Sequence, residues 1–171
     1  MKVLYVFGGI PPYANALLNK LVDKGLEIAV VIPPGKSAMI GKGVRVIGRE
    51  TANYRIITSE ERKSVLNKTG FRELPSIIYK EKPDIFVVGW PFFLQYFTQP
   101  GLRKALKKCK TKFVMREIPF QVPPYGKLRS FYREHPVYDE DMNLLNNGLF
   151  FHIRQRAVAE IRRYCYSKAD G

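Results

Sequence analysis

Cysteine is scarce in this 171-residue chain. Cys109 and Cys165 alone cannot form the disulfide framework of a small secreted fold. Histidine is equally rare, and His135 and His152 have no metal-ligand spacing around them. No apolar run approaches the roughly 20 residues of a membrane-spanning helix. Val3–Phe7 is too short for the core of a signal peptide, and it ends in Gly-Gly rather than a cleavage site. Acid is also short: 15 Asp and Glu stand against 29 Lys and Arg, a net charge of +14. Such a surplus favours an anionic partner (phosphate ligand, acidic lipid or nucleic acid), with plain solubility as the bland alternative. A hydrophobic share of 46% against 26% charged is enough for a packed core and excludes global disorder. These features lead us to expect one cytosolic, metal-free α/β domain.

The order of elements supports that class. Val3–Phe7 is continuously apolar, as in a strand buried on both faces of a parallel sheet. Pro11-Pro12 then suits the first turn of a helix, and Ala14, Leu17, Leu18, Leu21 and Val22 follow at helical spacing. Lys24-Gly25 ends it with a cation and a glycine. Ile28–Ile32 is a second apolar strand, completing a β-α-β unit. Val44–Ile47 reads as a short third strand, 49–58 as loop, and Ser59-Glu60-Glu61-Arg62 as a helix start. Glu73–Glu81 reads as helix, Ile85–Val88 as a buried strand, and Phe92–Phe97 and Leu102–Lys108 as helices interrupted at Pro100-Gly101. Lys112–Met115 is a further strand. Glu117–Asn147 is a proline-rich excursion with one short helix near Leu128–Arg133. The last helix, Leu149–Tyr166, sets Phe150, Ile153, Ala157, Ile161 and Tyr164 on one apolar face.

Several motifs fail on spacing. Gly35-Lys36-Ser37 lacks the upstream glycine of a P-loop, because that position is Val30. The turn Gly8-Gly9-Ile10-Pro11-Pro12-Tyr13 is not G-x-G-x-x-G, and Pro33 stands where a dinucleotide site needs an acid. NAD binding is therefore not expected. Asp139-Glu140-Asp141 reads as a solvated loop rather than a metal site.

Three loops remain as a candidate site. Ligands of open parallel sheets bind beyond the carboxyl ends of the strands, where the strand order reverses. Gly8–Tyr13, Gly89-Trp90-Pro91-Phe92 and Arg116-Glu117-Ile118-Pro119 would converge there. The paired glycines allow a ligand close to the backbone, and the helix behind them offers N–H groups to an anion. A tight β-to-α turn that needs glycine for its own dihedrals explains Gly8 and Gly9 equally well. Arg116 can pair with phosphate and Glu117 can accept from an acceptor hydroxyl or act as a base. A salt-bridged loop is the alternative for both.

Met1–Gly9, the Leu-rich helix and Lys24-Gly25-Leu26-Glu27-Ile28 resemble the opening of family-four retaining GT-B glycosyltransferases. Lys82-Pro83-Asp84-Ile85 and the Arg-rich helix running into Tyr166-Ser167-Lys168-Ala169-Asp170 are similar to that family too. The resemblance spans nearly the whole chain. It implies a Rossmann-like parallel sheet with helices on both faces, forming the acceptor-side half of a two-domain enzyme. It also implies a nucleotide-diphosphate sugar donor and a carbohydrate or lipid-linked acceptor, with no cofactor. Gly8, Gly9, Tyr13, Trp90 and Arg116 fall where donor phosphates or acceptor would lie, with Glu117 as the catalytic candidate. Many relatives carry a histidine where this chain reads Met115-Arg116-Glu117. The donor-side domain with its E-x7-E motif is missing, and Glu73 and Glu81 share that spacing by coincidence. On this reading the chain is a truncated domain, inactive alone.

Leu102–Lys110 is strongly basic with an apolar edge, so Lys104, Lys107 and Lys108 are candidates for an anionic membrane surface, with a solvated helix face as the alternative. The aromatics form no RNA-binding motif, which makes a nucleic-acid partner unlikely on this reading. A basic nucleic-acid-binding domain and a stand-alone nucleotide-binding domain are the competing classes.

Overall fold

The structure is a computed structural model and describes residues 1–35, 51–63, 69–116, 144 and 148–171. The expected strand at Val44–Ile47, the helix near Leu128–Arg133, the Asp139–Asp141 cluster, His135 and Glu117 lie outside the described residues.

Five described strands form one parallel sheet: β1 (Lys2–Val6), β2 (Glu27–Ile32), β3 (Arg55–Thr58), β6 (Ile85–Gly89) and β7 (Lys112–Arg116). Their order is β3-β2-β1-β6-β7. Val3 pairs with Ile28 on one side and Ile85 on the other, so β1 is the central strand. β4 (Glu61–Lys63) and β5 (Thr69–Phe71) form a separate antiparallel pair. Helices α1 (Pro12–Asp23), α2 (Leu74–Glu81), α3 (Gln95–Thr98), α4 (Pro100–Cys109) and α5 (Leu149–Tyr166) complete the described elements, with a 3₁₀ turn at Phe92–Leu94. The expected Rossmann-like α/β arrangement is what the chain adopts.

Side chains alternate across β1, so two cores form. Leu4, Val6, Phe86, Val88 and Phe113 face α2, α4 and α5, joined by Leu74, Leu102, Ala105 and Val158. Val3, Ile28, Val30 and Ile32 face α1, joined by Leu18 and Tyr54. Helices therefore cover both faces. α1 ends as expected at Gly25, whose φ is +83°. The Gly25 N–H donates to Val22 at 2.8 Å and the Leu26 N–H to Leu21 at 3.2 Å, the paired bonds of a Schellman cap.

Four expectations need correction. Residues 55–58 are strand β3 rather than loop: Ile56 and Ile57 alternate between the two cores, and the Ser59 N–H donates to Ile32 at 3.0 Å. Ser59 starts no helix, because it is buried with its hydroxyl turned to Glu73 Oε2 at 3.4 Å, and strand β4 follows. Pro100-Gly101 opens α4 rather than interrupting helix, since proline is tolerated in a first turn. On α5 the inward residues are Phe151, Val158, Ala159, Arg162 and Cys165; Phe150, Ile153, Ala157 and Tyr164 are exposed, and Ile161 is half-buried. An apolar stripe marks a face that avoids water, but it does not say which of two such stripes meets the sheet.

Buried Glu81 receives Lys2 Nζ at 3.0 Å and the Arg55 guanidinium at the amino edge of the sheet, opposite the candidate site.

Candidate functional site

The chain leaves β1 toward β2 by way of α1, then returns to place β6 on the other side of β1. The order thus reverses between β1 and β6, where the carboxyl ends of a parallel sheet open a crevice. A cavity of about 460 Å³ lies there on the α1 side. Tyr5, Phe7, Leu17, Val87, Met115 and Arg116 are among its walls. Three strands and α1 supply them, so the site exists only once the sheet has closed around β1.

Arg116 is the last residue of β7, paired in register with Gly89. Its guanidinium carbon lies 5.7 Å from the ring centroids of both Phe7 and Tyr13. Phe7 in turn stacks on Tyr5, with centroids 6.0 Å apart and planes within 8°. Burial pushes the Tyr5 phenol above its ordinary pKa, and the Arg116 charge pulls it partly back. No carboxylate among the described residues forms an ion pair with Arg116. A guanidinium held by aromatic faces keeps its in-plane N–H fork for a carboxylate or phosphate.

The turn after β1 brings Gly8 and Gly9 to the same end of the sheet, both buried. Gly9 has φ 159°, close to extended backbone, so left-handed strain does not explain the glycine there. α1 begins at Pro12 with Pro11 as its N-cap residue, without a side-chain cap and without an acid in its first turn. Tyr13, 59% exposed, projects from that turn.

The structure brings Tyr13 and Arg116 together, as the sequence suggested, with Tyr13, Gly8 and Gly9 outside the cavity walls. Trp90 is not among the cavity walls. Its ring packs 5.7 Å from Phe93, which belongs to the core on the other face. Tyr5 and Phe7 were missed. Their signal was available: positions 3, 5 and 7 of a strand share a face, and two aromatics near its carboxyl end face the site. Among the described walls there is no histidine and no carboxylate.

The basic helix departs from expectation in one respect. Lys104, Lys107 and Lys108 are exposed, but Leu102 and Leu106 are 1% and 4% exposed. The apolar edge meant to enter a membrane is part of the core, and the outer face of α4 is purely cationic. No described helix is long and apolar enough to cross a membrane.

No family model matches the chain, and no curated protein matches it. Solved structures similar to it include Bordetella bronchiseptica WbmH in complex with NAD+, at 15% identity over 96% of this chain and 52% of that one, with TM-score 0.45. The Thermotoga maritima UDP-glucose 4-epimerase with UDP-glucose is similar at 13% identity over 98% and 52%, with TM-score 0.47. An FMN-dependent Ubix-like decarboxylase from Escherichia coli O157:H7 is similar at 13% identity over 96% and 94%, with TM-score 0.44. The chain spans about half the length of WbmH and of the epimerase. The assignment of fold rests on the strand order described above.

Proposed function

We propose that this chain is the acceptor-side domain of a retaining GT-B glycosyltransferase that moves a sugar from a nucleotide-diphosphate donor to an acceptor hydroxyl. The observation that carries the reading is Arg116 at the end of β7, 5.7 Å from the rings of Phe7 and Tyr13 and in the wall of a cavity of about 460 Å³. A cation there suits the diphosphate, and the aromatic walls suit the flat face of a sugar or base. Gly8 and Gly9 belong to this reading through the resemblance alone, since both are buried and neither is among the cavity walls. Trp90, as a ligand contact, and Glu117, at the acceptor hydroxyl, are assigned by the resemblance alone.

The donor-side domain completes the cleft in this reading, so the 171-residue chain binds a nucleotide sugar weakly and transfers nothing.

The test is titration of isotope-labelled chain with uridine diphosphate and a uridine-diphosphate sugar, followed by NMR. Resonances of Tyr5, Phe7, Gly8, Gly9, Tyr13 and Arg116 are expected to move together. Arg116→Gln should weaken binding about tenfold or more, equivalent to about 1.4 kcal/mol, with the fold retained. Shifts that avoid these residues, or an Arg116→Gln chain that binds as tightly as wild type, would remove the site. Sugar transfer by the chain alone would overturn its place as half of a cleft.

A further inference from the structure

Helix α5 carries two apolar faces, and among the described residues only one packs into the core. Phe151, Val158, Ala159 and Cys165 point into the core beneath it. About a third of a turn away, Phe150, Ile153, Ala157 and Tyr164 form a second stripe at spacings of three, four and seven. Phe150 is 86% exposed, Ile153 56% and Tyr164 38%, and neighbouring Leu149 is 69% exposed. Phe97 of α3, also exposed, lies edge-on to Tyr164 with centroids 5.6 Å apart, extending the stripe past the helix. Isolated apolar side chains on a surface need no explanation, but a contiguous row of large ones marks a contact site.

The charge around the stripe selects the kind of contact. Arg154, Arg156 and Arg163 flank it, while Glu160 is the helix's one acid and receives both Arg156 at 3.1 Å and Arg163 at 3.4 Å. Lys168 follows the helix with its ammonium 5.8 Å from the Tyr164 ring. Two copies of a chain with net charge +14 would meet arginine against arginine along this row. An anionic surface removes that conflict, and a basic helix with large apolar and aromatic side chains on one face is suited to the boundary between headgroups and acyl chains.

We propose that the outer stripe of α5 docks this domain on an anionic lipid surface, with Leu149, Phe150 and Ile153 entering the headgroup boundary and Arg154 meeting lipid phosphate. This differs from docking through α4, whose leucines are spent in the core. It does not depend on the sugar-nucleotide reading, since the stripe is remote in sequence from the Arg116 cavity and either can fail alone.

Cosedimentation with phosphatidylglycerol and phosphatidylcholine vesicles tests it. Binding to phosphatidylglycerol vesicles is expected, with little to phosphatidylcholine and partial release by salt. The pair Phe150→Ser and Ile153→Ser should lower binding about tenfold or more, with an unchanged thermal melt because both side chains are exposed. Arg154→Gln should lower it by a smaller factor. A separate Phe150→Trp chain should gain blue-shifted emission, relative to wild type, when phosphatidylglycerol vesicles are added. The proposal falls if neither vesicle binds. It falls equally if the serine pair binds as wild type while Lys104→Glu, Lys107→Glu and Lys108→Glu together abolish binding, because α4 is then the contact. A dimer in sedimentation velocity that the serine pair dissociates would assign the stripe to a second copy and overturn it.

Discussion

Strands β1, β6 and β7 show two different faces. On the α2/α4/α5 side, Leu4, Val6, Phe86, Val88 and Phe113 are all 3% exposed or less. On the α1 side, Tyr5, Phe7, Val87 and Val114 are only half-buried, and Arg116 lies among them. A strand alternates its side chains at every residue, so one backbone serves both purposes. The packed face holds the sheet together. The face left open between α1 and β7 is the one with room for a ligand. Because stability and site alternate along single strands, neighbouring residues should respond to mutation in opposite ways.

The largest expected effect pits Phe86 against Val87. Phe86 is 1% exposed and stacks on Phe113 at 6.2 Å. Phe86→Ala should cost about 3–5 kcal/mol in urea unfolding, through lost burial and a cavity. Val87→Ala, on the open face, should cost about 1 kcal/mol or less, because fewer neighbours are lost. Equal losses would mean that the α1 side is as tightly packed as the other, and the contrast would vanish.

Gly70→Ala probes the packed side at its margin. A Cβ at Gly70 would lie 2.5 Å from Gln95 Cδ. That side chain is buried and grips the Phe71 backbone, accepting from its N–H and donating to its carbonyl, both at 2.8 Å. Moving Gln95 leaves buried backbone groups without partners, so a loss of about 2–3 kcal/mol is expected. A melt indistinguishable from wild type would show that Gln95 can shift freely and that this side tolerates added volume.

The smallest effect at neutral pH belongs to the closed part of the α1 side. Burial pushes the Tyr54 phenol from 10.0 up to about 12. The folded chain therefore holds that proton more tightly than the unfolded one. The resulting stability is complete below pH 10 and is lost as pH rises from 10 through 12. Tyr54→Phe removes this decline while giving up the 2.8 Å bond from the hydroxyl to Asn15 Oδ1. Unfolding measured at pH 8 and at pH 11 should differ less in the variant than in wild type. An unchanged difference would show that Tyr54 is not the group being titrated.

Much of the sheet was readable because its strands are written in runs that only burial on both faces explains, such as Ile28–Ile32. Helix ends were readable where local chemistry decides them, as at Gly25. β3 was harder: Arg55–Thr58 is short and has polar ends, and it is a strand because β2 offers an unpaired edge and both cores accept an isoleucine. α5 shows the other limit. Periodicity found Phe150, Ile153, Ala157, Ile161 and Tyr164, but a helix with two stripes is oriented by whichever fits the sheet, and here that is the one holding Phe151, Val158 and Cys165. The same holds for α4, where the residues read as a membrane edge are core.

Local sequence sufficed for what depends on near neighbours: hydrophobic runs, a glycine cap, prolines at helix starts, and hence an α/β chain with a glycine turn after its first strand. Arg116 and Tyr13 could be named as candidates on that basis. That Arg116 lies 5.7 Å from the rings of both Tyr13 and Phe7, with Tyr5 stacked on Phe7, depends on β1, β6 and β7 lying side by side with α1 across one face. Residues about a hundred positions apart share this cleft only through strand order and pleat, and neither is encoded in any single segment.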